Sequence, residues 1–287
     1  MKNEEFVSHH DLALRYFQER ETMLWGLIER TVTVPGGTLN YISFGKGQRN
    51  LIIIQGLNVR DLKGAGASLA LMYRKFAEDC RVWFFDRRSV VKNGLTNWDL
   101  AEDIYEAMRA LGIDAADVFG VSQGGMIAMA LALEHPDCVR KLVLGVTSSR
   151  ANETIKEVVG RWIACAENGD TVTINRETFS LMYTEQYLKK YRLLMPLLVR
   201  LIKPKDIGRF AALASAILDF DCYDRLCEIG CPVLVLGGAQ DKITTVEASV
   251  EIAAKLNCEM HLYPGYGHAA YEEAKDFNDR VYKFLME

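Results

Sequence analysis

The sequence predicts an α/β protein with a mostly parallel central sheet, helices on both faces and an inserted helical lid. Short apolar runs alternate with helical patterns between residues 50 and 148 and again from 231 to 287, and such alternation is typical of parallel sheets. One run, Leu51–Ile54, is apolar at every position, as expected of a strand buried on both faces. Residues 149–218 break the alternation, because their apolar residues follow helical spacing only.

The composition is that of an ordinary globular protein and disfavours several classes. The chain has 287 residues, of which 49% are hydrophobic and 25% charged, so a large core can form. Its net charge of −4 disfavours a nucleic-acid binder, which needs basic surface. We expect no transmembrane helix, because no long apolar stretch occurs. The many charges near the N-terminus disfavour a secretory signal peptide.

The seven cysteines predict neither a disulfide framework nor a metal site. They are odd in number and contain no C-x-x-C pair, which indicates a reducing, cytoplasmic location. Cys222, Cys227 and Cys231 lie close in sequence, but their spacing matches no zinc pattern and no histidine is near. We therefore interpret them as small buried apolar residues.

The elements before the insertion begin with a predicted N-terminal helical arm, residues 1–30, whose apolar residues from Ala13 to Ile28 recur at helical spacing. A Pro-Gly-Gly turn then joins a strand pair. The predicted strands are Thr31–Val34, Leu39–Phe44, Leu51–Ile54, Val82–Phe85, Asp117–Val121 and Lys141–Val146. The predicted helices are Trp98–Leu111, with Thr96 and Asp99 as its capping box, and the apolar Gln123–His135.

After the insertion the alternation resumes with two strands and two helices. The predicted elements are strand Val233–Leu236, helix Val246–Leu256, strand Glu259–Tyr263 and helix Ala270–Leu285. We therefore divide the chain into the arm at 1–30, a sheet core at 31–148 and 219–287, and a helical lid at 149–218.

A nucleophile motif lies between one predicted strand and the next helix. Gly120-Val121-Ser122-Gln123-Gly124 fits G-x-S-x-G, in which small residues flank the serine because the backbone of such a turn is crowded and strained. The alternative is a glycine-rich turn without a catalytic task. We predict that Ser122 is a nucleophile.

A serine hydroxyl needs a base, and His268 is the best-placed histidine. It lies in a loop at the carboxyl end of a predicted strand, the edge at which open α/β sheets hold their active sites. The remaining histidines fall within or at the end of predicted helices and strands: His9, His10, His135 and His261.

A carboxylate must orient the imidazole, and Asp241 follows a predicted strand at the same edge. The chain order Ser122, Asp241, His268 is the order known for a nucleophile on a strand-to-helix elbow. Weaker alternatives precede that strand rather than follow it: Asp219, Asp221 and Asp224.

Attack on a carbonyl creates an oxyanion that requires fixed hydrogen-bond donors. The backbone N–H of Gln123, at the start of a helix, is one candidate. The second is the N–H of Leu57, in the loop Gln55-Gly56-Leu57-Asn58 that follows Leu51–Ile54. Both are predictions from position alone.

These residues resemble the α/β-hydrolase superfamily, in its lidded, serine-dependent branch of esterases and lactonases. Phe85-Asp86-Arg87-Arg88-Ser89 is similar to the family's Asp-x-Arg-Gly segment, and Cys231–Gly237 to the strand before its acid. The resemblance implies the triad, the two backbone donors and a lid. This chain has Gln55-Gly56 where the family usually has His-Gly, and Arg88 where it usually has glycine. Haloalkane dehalogenases and soluble epoxide hydrolases use an aspartate where this chain has Ser122.

Cations crowd the lid between residues 189 and 209 around the apolar run Leu193–Val199. They are Lys189, Lys190, Arg192, Arg200, Lys203, Lys205 and Arg209. We favour a lid that covers the pocket and has a solvated basic face; recognition of an anionic substrate and contact with a membrane surface are the alternatives. The residues predicted to line the pocket are Gln55, Trp162, Tyr183 and Tyr187.

The sequence therefore predicts a cytoplasmic serine hydrolase without metal or cofactor. Its expected substrate is a small carboxylic ester, lactone or thioester, cleaved through an acyl-enzyme. Hydrolysis of a carbon–carbon bond in a diketone-type substrate and a perhydrolase activity would use the same triad. A non-catalytic ligand-binding module on the same fold is a further alternative. We expect no nucleic-acid or membrane partner, and a homodimer is left open.

Overall fold

A computed structural model describes residues 24–58, 61–91, 94–201 and 206–287, and within it eight strands form one sheet. The strands are β1 (Ile28–Val34), β2 (Gly37–Phe44), β3 (Arg49–Ile54), β4 (Cys80–Phe85), β5 (Ala116–Val121), β6 (Val139–Gly145), β7 (Val233–Gly238) and β8 (Glu259–Tyr263). Their order is β1-β2-β4-β3-β5-β6-β7-β8. Only β2 runs antiparallel to its neighbours, which confirms the predicted mostly parallel sheet.

Helices connect the strands and cover the sheet. In the described ranges they are α1 (Gly66–Met72), α2 (Asn97–Ala110), α3 (Gln123–Glu134), α4 (Glu153–Glu167), α5 (Thr171–Met182), α6 (Glu185–Tyr191), α7 (Met195–Leu201), α8 (Ile207–Leu218), α9 (Val246–Leu256), α10 (Ala270–Glu273) and α11 (Phe277–Met286). The start of α2 has the predicted capping box, since Thr96 and Asp99 exchange side chain-to-backbone hydrogen bonds.

Strand β3 shows why both faces of the sheet need helices. Ile52 and Ile54 belong to a buried cluster that includes α2 and α3, whereas Leu51 and Ile53 belong to a second cluster that includes α1 and α11. Side chains alternate between the faces of a strand, so a wholly apolar strand must be covered on both sides. The predicted two-faced α/β architecture is confirmed.

Two predicted helices differ in the structure. The arm does not reach residue 30, because Ile28–Arg30 pair with β2 in an antiparallel ladder and residues 24–27 form a turn and bend; residues 1–23 lie outside the described ranges. The predicted helix Ala270–Leu285 is divided into α10 and α11 by the extended backbone of Ala274. Helix α11 then buries Phe277 in the core.

Helices α4 to α8 follow one another between β6 and β7, above the carboxyl edge of the sheet. Helix α4 packs against both α5 and α8, and α5 packs against α7. The arrangement brings Trp162 of α4 and Phe210 of α8 to a cavity that also contains Ser122. The exact boundaries of a lid domain stay a prediction.

Candidate active site

Ser122 lies on a tight turn between β5 and α3. Its φ is +54° and its ψ is −125°, in a region that residues with a side chain rarely adopt. The turn is held by a hydrogen bond from the Ser122 N–H to the Gly145 oxygen, at 2.9 Å. Strained backbone persists only where the surroundings enforce it, and here it lifts the serine side chain above the sheet edge.

Gly120 and Gly124 let the backbone close around this turn. A Cβ atom on Gly120 would lie 2.4 Å from the Gly124 oxygen, and one on Gly124 would lie 2.0 Å from the Ile54 oxygen. Both distances are far inside van der Waals contact, so neither position accepts a larger residue without movement of the backbone. The spacing of the G-x-S-x-G motif is therefore a packing requirement of this elbow.

The structure brings Ser122, His268 and Asp241 into one hydrogen-bonded line. Ser122 Oγ lies 3.0 Å from His268 Nε2, and His268 Nδ1 lies 2.9 Å from Asp241 Oδ2. His268 and Asp241 are both buried. With Nδ1 protonated and donating to Asp241, Nε2 is the acceptor for the Ser122 hydroxyl.

Asp241 is surrounded by donors that favour its ionised form. The N–H groups of Ile243 and Thr244 donate to Oδ1 at 2.8 and 3.0 Å, and the Thr244 hydroxyl lies 2.7 Å from Oδ2. Burial raises the pKa of the Asp241 carboxyl, but the His268 charge, the His268 hydrogen bond and these donors together outweigh it. The pKa of Asp241 is therefore lower than usual, and the carboxylate stays charged beside the imidazole.

The loop after β3 carries the other predicted backbone donor and is held by Arg87, which is half-buried. Arg87 Nη2 donates to the Gln55 oxygen at 2.6 Å. Gln55, Leu57 and Gln123 all line the cavity that contains Ser122. Gln123 is the first residue of α3, so its N–H has no acceptor within the helix.

The segment that contains Arg87 is in turn bound by Arg209. Burial lowers the pKa of Arg87 to about 10, which leaves the guanidinium charged at neutral pH. Arg209 of α8 donates to Asp86 Oδ1 at 3.2 Å and to the Arg87 oxygen at 3.1 Å. Arg209 therefore belongs to the support of the site rather than to a solvated basic face.

The cavity above Ser122 has a volume of about 280 Å³ and a mostly apolar wall. Of the residues predicted to line it, Gln55, Trp162 and Tyr183 do so. Tyr187 is not in the wall, because α6 places it outside Tyr183, on which its ring stacks with centroids 4.4 Å apart. Within the described part of the chain, Glu272 is the carboxylate of the wall outside the Ser122–His268–Asp241 line.

The joint between α5 and α6 is bound to the segment that carries His268. The Ala269 N–H donates to the Met182 oxygen at 2.9 Å. Thr184 donates to Glu273 through both its N–H, at 3.0 Å, and its hydroxyl, at 2.6 Å. Tyr183 adds a hydrogen bond of 2.6 Å to Glu272. These four contacts bind the end of α5 and the start of α6 to the segment that directly follows His268.

The other candidates from the sequence lie elsewhere. His135 bonds to Glu102 and stacks on Tyr105, and the ring of His261 packs against Tyr263. His9 and His10 lie outside the described residues. Asp221 accepts from the Tyr223 N–H, away from the cavity.

The remaining predictions concern metals, disulfides and membranes. All seven cysteines are free thiols, and Cys227 is exposed rather than buried. Among the residues that the structure describes, no cluster of three His, Cys, Asp or Glu side chains could hold a metal ion. No helix in the same ranges is both long enough and apolar enough to span a bilayer.

Sequence reasoning missed Thr244 and Glu272. The spacing Asp241-x-x-Thr244 is a detectable signal, because Ser and Thr three residues after an Asp commonly close a hydrogen-bonded turn. Glu272 gives no such signal, since its partner Tyr183 is 89 residues away in the chain.

Comparison with known proteins identifies the class. The sequence model of the alpha/beta hydrolase fold matches residues 59–275, and the chain belongs to this family. It is 28% identical over 241 residues to a protein assigned as the carbamate hydrolase RutD of Caulobacter sp. (strain K31), covering 78% of this chain and 87% of that one. It is 29% identical over 269 residues to a 2-hydroxy-6-oxononadienedioate/2-hydroxy-6-oxononatrienedioate hydrolase of Paraburkholderia xenovorans (strain LB400), covering 86% and 90%.

A solved structure shows the same fold. The enol-lactonase from Burkholderia xenovorans LB400 superposes with a TM-score of 0.79 at 22% identity, over 90% of this chain and 100% of that one. Family, relatives and fold together support a hydrolase.

Proposed function

We propose that the protein is a serine hydrolase that cleaves a small, uncharged carboxylic ester, lactone or thioester through an acyl-enzyme. The observation that carries this proposal is the line of hydrogen bonds from Ser122 through His268 to Asp241, at the floor of an apolar cavity. The relatives and the solved structure reported above include hydrolases of several substrate classes. The choice among those substrate classes therefore depends on the cavity of this chain.

In the first half of the reaction, Ser122 Oγ attacks the carbonyl carbon while its proton passes to His268 Nε2. The imidazolium that forms is stabilised by Asp241, which is charged and already hydrogen-bonded to Nδ1. Negative charge develops on the former carbonyl oxygen, and the N–H groups of Leu57 and Gln123 are the donors we assign to it.

Collapse of this intermediate breaks the bond to the leaving alcohol or thiol. His268 gives its proton to the leaving atom, and the acyl group remains on Ser122. A water molecule then donates a proton to His268 Nε2 and attacks the acyl carbon. The acid is released, and the proton returns from His268 to Ser122.

The charge of the cavity favours a neutral substrate. In the described ranges its wall contains the carboxylate of Glu272 but no lysine or arginine. A carboxylate-bearing substrate would be desolvated there beside a like charge, which is unfavourable. We therefore rank carbon–carbon hydrolysis of a dioate, the reaction named for the Paraburkholderia relative, second.

The decisive variant is Ser122→Ala, with nitrophenyl esters and neutral lactones as substrates. We expect kcat to fall by about 10³-fold or more with the fold unchanged, because the nucleophile is removed. A serine-directed fluorophosphonate should label the native protein at Ser122 and leave the variant unlabelled. Undiminished hydrolysis by a folded Ser122→Ala variant would contradict the proposal.

A matched pair of esters tests substrate charge separately. Two nitrophenyl esters of equal length, one ending in a methyl group and one in a carboxylate, should differ in kcat/KM by about tenfold or more in favour of the methyl ester. The variant Glu272→Gln should narrow that difference. Preference for the carboxylate ester would instead favour the dioate reaction.

The location in the cell is part of the same proposal. The seven free thiols support a reducing compartment, and we propose that the protein acts in the cytoplasm.

A further inference from the structure

A second cavity lies among the lid helices, next to the active-site cavity. Its volume is about 430 Å³, within the range of about 300–1,000 Å³ typical of small-molecule sites. Its wall has an apolar part and three guanidinium groups. The apolar residues are Val172, Phe179, Leu188, Met195, Pro196 and Val199. The arginines are Arg176, Arg192 and Arg200. Phe179 lines both cavities, so the two are neighbours.

The three arginines are exposed cations with no acidic residue beside them in the cavity wall. In the parts of the chain that the structure describes, none of them forms an ion pair with a carboxylate, whereas Arg161 pairs with Glu157 and Arg225 with Glu134. No acidic residue lines the cavity. Like charges around one cavity repel one another, and a bound anion would relieve that repulsion.

Arg176 is the one partly compensated member. Hydrogen bonds from Thr173 are the main reason that the pKa of Asp170 is lowered, and the charge of Arg176 is a smaller one. Neither Arg192 nor Arg200 forms an ion pair with a carboxylate within the described ranges, and no acidic residue shares the cavity wall with them. They are therefore the two guanidinium groups best able to take an anionic group.

The apolar run beside this cavity does not cover the active site as the sequence predicts. Leu193 is 89% exposed and Leu197 55% exposed, whereas Val199 is buried. Helix α7 has only seven residues, and it turns one narrow face inward. The second cavity thus opens toward solvent between exposed apolar side chains and cations.

We propose that this cavity binds a linear aliphatic carboxylate. The hydrocarbon chain would lie against Phe179, Leu188 and Val199, and the carboxylate would lie on Arg192 and Arg200. The planar fork of a guanidinium matches a carboxylate in two parallel hydrogen bonds. A small inorganic anion would leave the apolar wall unused, and an uncharged chain would leave the arginines uncompensated. The binding of this ligand does not depend on the proposed hydrolysis.

Calorimetric titration of the full-length protein with decanoate and with decanol tests this proposal. We expect saturable binding of decanoate, with decanol about fivefold to tenfold weaker. The paired substitution Arg192→Gln and Arg200→Gln should weaken decanoate by the same factor, as expected for two exposed ion pairs, and should leave decanol unchanged. The matched control is Lys189→Gln with Lys190→Gln, which removes two neighbouring positive charges outside the cavity wall and should not change decanoate binding.

Three results would overturn the proposal. Equal decanoate affinity in the native protein and the arginine variant would place the ligand elsewhere, the active-site cavity included. Equal affinity for decanol and decanoate would show that the arginines do not select the anion. Binding to phosphatidylglycerol vesicles that is lost in the lysine control, without saturable decanoate binding, would assign this surface to a membrane.

Discussion

Asp241 is a buried carboxylate whose charge is maintained by its neighbours. Three donors from Ile243 and Thr244 and one from His268 surround its two oxygens. A carboxyl group whose pKa is lower in the folded protein than in the unfolded chain stabilises the folded state at any pH at which it is ionised. The same interactions that orient the imidazole therefore contribute to stability at neutral pH.

The pKa shift of Asp241 predicts how stability depends on acid. Because its folded pKa is lowered, its contribution is fully present above the unfolded value of about 3.9 and is lost as the pH falls through the lower folded value. We expect the native protein to be more stable than Asp241→Asn at pH 7, and the difference to shrink from about pH 4 downward.

Urea unfolding of both proteins at a series of pH values measures this difference. If the loss in free energy of unfolding came only from the altered shape and hydrogen bonding of asparagine, it would be the same at every pH. A gap between the two proteins that stays the same from pH 7 to pH 3 would contradict the lowered pKa.

At the residue scale, the sequence was sufficient to propose the three side chains that the structure brings into one hydrogen-bonded line, but not the residues around them. Ser122 lies in a local motif, and His268 and Asp241 each follow a recognisable strand, so short-range patterns were sufficient to propose them. Thr244 is local too but carries no motif of its own. The sequence does not distinguish which of the aromatic residues between 149 and 218 line the pocket, and only the path of α6 shows that Tyr183 lies in front of Tyr187.

At the element scale, the contact between α3 and β3 fixes the elbow. The Cα of Gly124 faces the backbone oxygens of Ile54 and Gln55, at the start of the loop that carries Leu57. The proposed nucleophile and the proposed oxyanion donors therefore share one contact between a helix and a strand. A displacement of α3 would separate them.

The variant Gly124→Ala tests this contact. Its Cβ would meet the Ile54 oxygen at 2.0 Å and the Gln55 oxygen at 2.6 Å, and backbone cannot move as cheaply as a side chain. We expect the free energy of unfolding to fall by about 1–3 kcal/mol. We also expect kcat/KM to fall by about 10²-fold, because a displacement of about 1 Å can cost that much.

Gly160→Ala in α4 is the control for the same chemical change. No atom lies within 4 Å of a Cβ at Gly160, so alanine there should stabilise the protein by about 0.5–1 kcal/mol and leave kcat/KM unchanged. Equal effects of the two substitutions in urea unfolding would refute the role of the close contact at Gly124.

Elements defined by a short sequence pattern could be predicted, whereas elements that depend on contacts with distant residues could not. The capping box of α2 and the buried run of β3 are each defined by residues close together in the sequence, and the structure contains both. The division between α10 and α11 has no such local signal, because Phe277 of α11 is buried in a core built from strands distant in the sequence. The helical spacing of its apolar residues predicts a helix at the beginning of β1, but Ile28–Arg30 pair with β2 and form a strand instead.

At the scale of the whole molecule, the helices inserted between β6 and β7 meet the sheet core at the carboxyl edge of the sheet. Thr184 and Glu273 are 89 residues apart in the chain, and so are Tyr183 and Glu272. A single sequence contains no pattern that predicts contacts between residues so far apart. The attachment of these helices to the sheet core therefore could not be predicted. On the core side, the attached residues directly follow His268 in the chain, so we expect the attachment to influence the position of His268.

Glu273 is the residue whose removal loosens this attachment most selectively. It accepts both hydrogen bonds from Thr184 and is not in the wall of the active-site cavity. In Glu273→Gln, one carboxylate oxygen becomes an NH₂ group, which cannot accept from Thr184. We expect faster amide hydrogen exchange at Ala269 and Thr184, because their hydrogen bonds open more often.

The same variant should reduce kcat about threefold to tenfold, since His268 is held less firmly against Ser122. The control is Glu185→Gln on the adjacent helix, where the side chain is 89% exposed and its nearest cation is Lys189 at 3.4 Å. Faster exchange at Thr184 with an unchanged kcat would show that the lid can open without moving His268, and would limit the attachment to a structural role.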